Sequence, residues 1–154
     1  MKTLQRTLLL ALLSGFIFLT SCERLLFCHE SNVSMSGAGK SHNKGENCMQ
    51  CHKAGGEGEG CFNAAGTVYQ SNLQNTISSG SVAFYTGPDG TGTLKYTLAI
   101  DGKGNFYSTN KMDVSGLYPV VTGPNGNASY MGSALTSGAC NSCHNQSTSK
   151  ISVN

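Results

Sequence analysis

Between residues 64 and 130, apolar and polar side chains alternate with a period of two. Leu94, Tyr96, Leu98 and Ile100 interleave with Thr93, Lys95, Thr97 and Ala99, which is the signature of a strand with one buried face. Val82 and Phe84 repeat the pattern within residues 81–86. Thr67-Val68-Tyr69, Asn105-Phe106-Tyr107 and residues 118–122 are further short strand candidates. Turn sequences separate them: Gly87-Pro88-Asp89-Gly90, Asp101-Gly102-Lys103-Gly104 and Gly123-Pro124-Asn125-Gly126. The likeness between the first and last of these is reused turn chemistry rather than an internal repeat. Short strands at this spacing predict a mainly β fold, a small antiparallel β-sandwich with its core at about residues 64–130.

The flanks carry different signals. Residues 1–21 read as an export signal. Lys2 and Arg6 precede an apolar stretch over residues 7–19 that is too short and wrongly flanked to span a membrane. The segment ends Leu19-Thr20-Ser21-Cys22. This looks like the lipobox of bacterial lipoproteins, and the resemblance implies cleavage before Cys22 and lipidation of its thiol. Several acyl chains on one residue anchor a protein without a transmembrane helix. Glu23 after the lipidated position favours the outer membrane over the inner. Residues 22–47 read as a lipid-anchored tether, because residues 31–47 are rich in Ser, Gly and Asn and offer little apolar surface. The run Ala54-Gly55-Gly56-Glu57-Gly58-Glu59-Gly60 reads as a flexible turn, since it lacks the spacing and context of a phosphate loop.

The chemistry lies in a pattern that occurs twice: Cys48-Met49-Gln50-Cys51-His52 and Cys140-Asn141-Ser142-Cys143-His144. Both match C-x-x-C-H, the attachment sequence for c-type haem. Two thiols on one turn of chain reach the two vinyl groups of one porphyrin, and the adjacent His then reaches the iron. Residues 48–154 therefore read as a dihaem domain, with each motif on a short helical or looped segment beside the sandwich. If both motifs lie at one end of the sandwich, the haems meet closely enough for fast electron exchange. Four thiols also suit a zinc site, but zinc does not account for the His after each pair, and a thioredoxin-like site needs a βαβ context.

The chain has four His residues, and two of them, His29 and His42, lie outside the motifs. They are candidate distal iron ligands, one per haem, with Met131 as the alternative and Met35 and Met112 as weaker competitors. Cysteine counting is consistent with this. Of seven Cys, Cys22 takes lipid, four take haem, and Cys28 and Cys61 remain as a candidate disulfide in an oxidising compartment.

The middle region resembles the transthyretin-like, carboxypeptidase-regulatory-like β-sandwich modules of exported bacterial proteins. The resemblance rests on Ala65-Gly66-Thr67-Val68-Tyr69 and on the strand, turn and strand from Ala99 to Tyr107. The flanks resemble multihaem c-type cytochromes. Together they imply an electron-transfer protein of the bacterial cell envelope, carrying two c-type haems and exchanging electrons with redox partner proteins. Two rival readings remain: a haem enzyme or gas sensor with one open iron site, and a sandwich used only for docking.

Charge narrows the partners. The chain holds ten basic and eight acidic residues, and removal of Lys2 and Arg6 leaves eight of each. A near-neutral surface disfavours nucleic acid. No Ser lies in G-x-S-x-G, and no pair of carboxylates has the spacing of an acid and base.

Overall fold

The computed structural model describes residues 27–154. The signal segment and Cys22 lie outside them. Seven strands follow in chain order: β1 (Ala64–Gln70), β2 (Ser81–Tyr85), β3 (Leu94–Ala99), β4 (Asn105–Ser108), β5 (Tyr118–Thr122), β6 (Ala128–Tyr130) and β7 (Ile151–Val153). They form two sheets, ordered β4-β1-β7 and β3-β2-β5-β6. The fold is mainly β, as the alternation predicts. Among the described residues no helix is long and apolar enough to cross a membrane.

The core lies between the sheets. Val68, Val82, Phe84, Ile100 and Phe106 are its largest fully buried apolar side chains. Val82 and Phe84 point inward from β2, and Ser81, Ala83 and Tyr85 are less buried. On β3 the apolar face deepens along the strand. Leu94 is 49% exposed, whereas Leu98 is 5% and Ile100 0% exposed.

Two features depart from the sequence reading. First, the sandwich does not end near residue 130, and it is not wholly antiparallel. β7 follows the second C-x-x-C-H and pairs in parallel with the second half of β1. Three residues are too short for a periodicity signal. Second, the polar segment over residues 32–47 is packed rather than loose. Ser34 N donates to Tyr107 O at 2.9 Å and Ser34 Oγ to Ala99 O at 2.6 Å. Further along, Gly102 N donates to Ala38 O at 2.8 Å. A segment this poor in apolar residues is expected to be a tether, because it has little surface to bury. Here hydrogen bonds to a sheet edge supply the attachment instead. Cys28 and Cys61 form a disulfide, which fastens the start of this segment beside β1.

β1 is buried on both faces over its first six residues. Gly66 sits where Phe106 and Cys140 approach it. A Cβ there would lie 2.6 Å from Phe106 Cζ and 3.0 Å from Cys140 Cβ. Gly66→Ala is therefore expected to lower stability by about 1–3 kcal/mol through overpacking, measured as a fall in the urea midpoint with an unchanged slope.

Candidate functional site

Each C-x-x-C-H begins on a single 3-10 turn, Cys48–Gln50 and Cys140–Ser142. The two copies fold alike. His52 N and His144 N each donate to the carbonyl of their motif's first Cys at 3.0 Å. Cys51 N and Cys143 N reach the same carbonyls at 3.2 and 3.3 Å. These bonds gather both thiols and the His onto one tight turn. The first turn is capped by Asn47, whose side chain accepts from Met49 N at 3.2 Å.

Both motif His rings are held the same way. His52 Nδ1 lies 2.8 Å from Glu59 O, and His144 Nδ1 lies 2.7 Å from Ser149 O. A carbonyl only accepts, so Nδ1 carries a proton, and in the neutral ring Nε2 is then the nitrogen with the lone pair. Metal-binding His is commonly oriented by this kind of bond. The His52 ring also stacks on Phe62, with centroids 4.1 Å apart.

The glycine-rich run after the first motif is not a free turn. Gly58 N donates to Cys51 O at 3.0 Å and Phe62 N to His52 O at 3.0 Å, so the run wraps around the His52 ring. A Cβ at Gly58 would lie 2.7–2.9 Å from three ring atoms. Glycine is required there by close approach, not by flexibility. Gly58→Ala is expected to push the ring off Glu59 O. The check is the imidazole nitrogen spectrum, in which His52 should lose its single-tautomer signal while His144 keeps its own.

The two turns meet on β1. Ala65 N donates to Gly138 O at 2.9 Å, and Thr67 N to Asn141 Oδ1 at 3.1 Å. The second motif is thus an excursion from chain that pairs along one edge of β1 before and after it. Asn141 Nδ2 donates to Glu46 O at 3.0 Å, and Asn145 Nδ2 to Gly45 O at 3.3 Å, which joins the second motif to the approach of the first.

A cavity adjoins each motif. The first, of about 780 Å³, is lined by His42, Cys48, Cys51, His52, Phe62 and Tyr107 among others. The second, of about 360 Å³, takes in Cys140, His144 and Met131 with Phe106, Val121 and Leu135. Both sizes lie in the range of small-molecule and cofactor sites. His42 and His52 have ring centroids 5.8 Å apart. His29 is exposed beside the disulfide and lines neither cavity. Met112 is core filling, and Met35 is 67% exposed.

The four motif thiols are free, with Cys51 and Cys143 exposed and Cys140 buried. Among the described residues, no three His, Cys, Asp or Glu side chains group as a metal-ion site. Burial raises the Cys48 thiol. It pushes Cys140 up to about 12, with the nearby Cys48 and Cys143 adding to the rise. Comparison with protein-family models, curated proteins and solved structures finds no match to the chain.

Sequence reasoning missed the groups that hold the site: Asn105, Thr67, Asn141 and the carbonyls of Glu59 and Ser149. Asn105 had a signal, because Asn is depleted in strands. The carbonyls had none.

The Cys140 shift has a sign that experiment can read. The unfolded thiol ionises near its ordinary value of 9.0, whereas the folded one holds its proton to about 12. Between those values the unfolded chain binds fewer protons, so stability falls as pH rises, by at most about 1.4 kcal/mol per pH unit from this group. Urea midpoints of the chain with its motif thiols free and of its Cys140→Ala variant, compared under identical reducing conditions, should show a shallower alkaline decline in the variant.

Proposed function

We propose that the protein is a dihaem c-type electron carrier, lipid-anchored through Cys22 in the bacterial cell envelope, outer membrane favoured. Cys48 and Cys51 would hold one haem and Cys140 and Cys143 the other, with His52 and His144 on the irons. The observation that carries this reading is the paired His geometry. Two separate motifs each direct Nδ1 onto a backbone carbonyl, and each motif His lines a partly apolar cavity.

Bound haem supplies reversible one-electron chemistry between ferrous and ferric iron. The chain's own residues do the rest. Glu59 O and Ser149 O hold the imidazoles in the ligating tautomer. Phe62, Tyr107 and Phe106 give the cavities apolar walls that limit water. Thioether formation would also remove the ionisable proton of Cys140, whose buried position suits an uncharged sulfur. The contacts of Asn141 and Asn145 with the first motif's approach keep the two sites adjacent, as passage of an electron between them requires. The partners are redox proteins of the same compartment.

The test is intact mass and absorption of the mature chain, made in a host that attaches c-type haem. Two haem additions and sharp reduced bands are expected. Replacing Cys48 and Cys51 by Ser should remove one haem, and replacing Cys140 and Cys143 should remove the other. A colourless chain with no added mass overturns the reading. A high-spin component in the two-haem protein would favour ligand binding at an open iron over electron carriage alone.

A further inference from the structure

We propose that the two iron sites are unequal, with His42 opposite His52 at the first and Met131 opposite His144 at the second. The inference rests on the haem reading above and deepens it.

The first cavity contains both His42 and His52. Their centroids are 5.8 Å apart. Two imidazoles sharing one metal ion have centres about 6 Å apart, since each metal–nitrogen bond is about 2 Å and the ring adds its own radius. The backbone of His42 is also anchored. Asn105 Nδ2 donates to His42 O at 3.3 Å and to Ser41 Oγ at 2.9 Å. Asn105 itself is 2% exposed and is held by Thr67 Oγ1 at 2.6 Å. A buried amide thus holds the main chain at His42, whose exposed side chain borders the cavity near the His52 ring.

The second cavity offers a different donor set. Besides His144 and the attachment thiol Cys140, its lining includes Met131, Lys150 and Tyr130. Lys150 Nζ is already engaged. It donates to Leu73 O at 2.9 Å and sits 4.3 Å from the Tyr69 ring centroid. Tyr130 is 54% exposed and would have to lose a proton to ligate. Met131 is neutral and partly buried against the core. Its backbone is fixed to β5 by Met131 N donating to Pro119 O at 3.1 Å. His29 is exposed outside both cavities.

Unequal ligation has an electrical consequence. A thioether raises the potential of haem iron relative to imidazole. The second site then holds an electron more tightly than the first, and the chain has a built-in direction, from the β4 side of β1 toward the β7 side.

The test uses the matured two-haem protein and three observables: potentiometric titration followed by absorption, the sulfur-to-iron charge-transfer band of the oxidised form, and its electron paramagnetic resonance. Two separated one-electron steps and a sulfur band from one haem are expected. Met131→Leu, close to Met in volume, should abolish that band and disturb only the higher-potential haem. Met131→His should restore a low-spin site with its step moved down toward the other. His42→Ala should leave the sulfur band and make the other haem high-spin. A two-haem protein without a sulfur band overturns unequal ligation and leaves the carrier reading standing. Loss of low-spin character in His29→Ala but not in His42→Ala also overturns it. A chain that takes up no haem overturns both.

Discussion

The structure depends on β1 having no free face. One side of this strand closes the sandwich core, and the other is covered by Cys48, Met49, Phe62 and Tyr107 around Ala65. Its edges are also taken. β4 occupies one edge, while residues 138–141 and then β7 occupy the other. A strand enclosed on all sides must satisfy every backbone group within the protein, because water cannot reach them. The two C-x-x-C-H segments supply part of that cover. They belong to the structure of the sandwich as well as to its surface.

Where the covers meet, the strand needs a polar fastening, and Thr67 supplies it. Its hydroxyl donates to Asn105 Oδ1 and accepts from Gly45 N and Asn141 Nδ2. Thr67, Asn105 and Asn141 are each at most 2% exposed. Buried amides without partners would be costly, but in this network their polar atoms are used. Asp101 extends it through Oδ1, which accepts from Asn105 N at 3.0 Å and Lys103 N at 2.9 Å. Its other oxygen is buried with no hydrogen-bond partner. The network links the His42 segment, the approach to the first motif, and the second motif. In the proposed carrier this network would keep the two haem sites in fixed relation, since directional hydrogen bonds set positions more sharply than apolar contact does.

The two motifs differ in setting although they fold alike. Cys140 belongs to the main core with Phe106 and Val68. Cys48 packs in a smaller cluster on the outer side of the three-stranded sheet. The same five-residue chemistry is therefore placed once against the interior and once against an outer face. In the proposed carrier, that difference of surroundings accompanies the difference of ligands. Both act on the stability of charge at iron.

Strand identity and the two C-x-x-C-H turns were legible in the sequence, because both are local. Alternation at Val82 and Phe84, or at Leu98 and Ile100, expresses which face is wet. C-x-x-C-H expresses how far apart two thiols lie on one turn. The Cys28–Cys61 bond was offered by the sequence only as a candidate, because spacing does not fix connectivity. The tertiary structure alone decided the relations between distant segments. It brought Asn141 to Glu46 across 95 positions and Asn105 to Ser41 across 64. It also turned a glycine run into the wall of the His52 site, placed His42 on a cavity that His29 does not line, and brought Met131 and His144 to the lining of one cavity. These outcomes rest on backbone carbonyls and close approaches, which every residue type offers and no composition or period records.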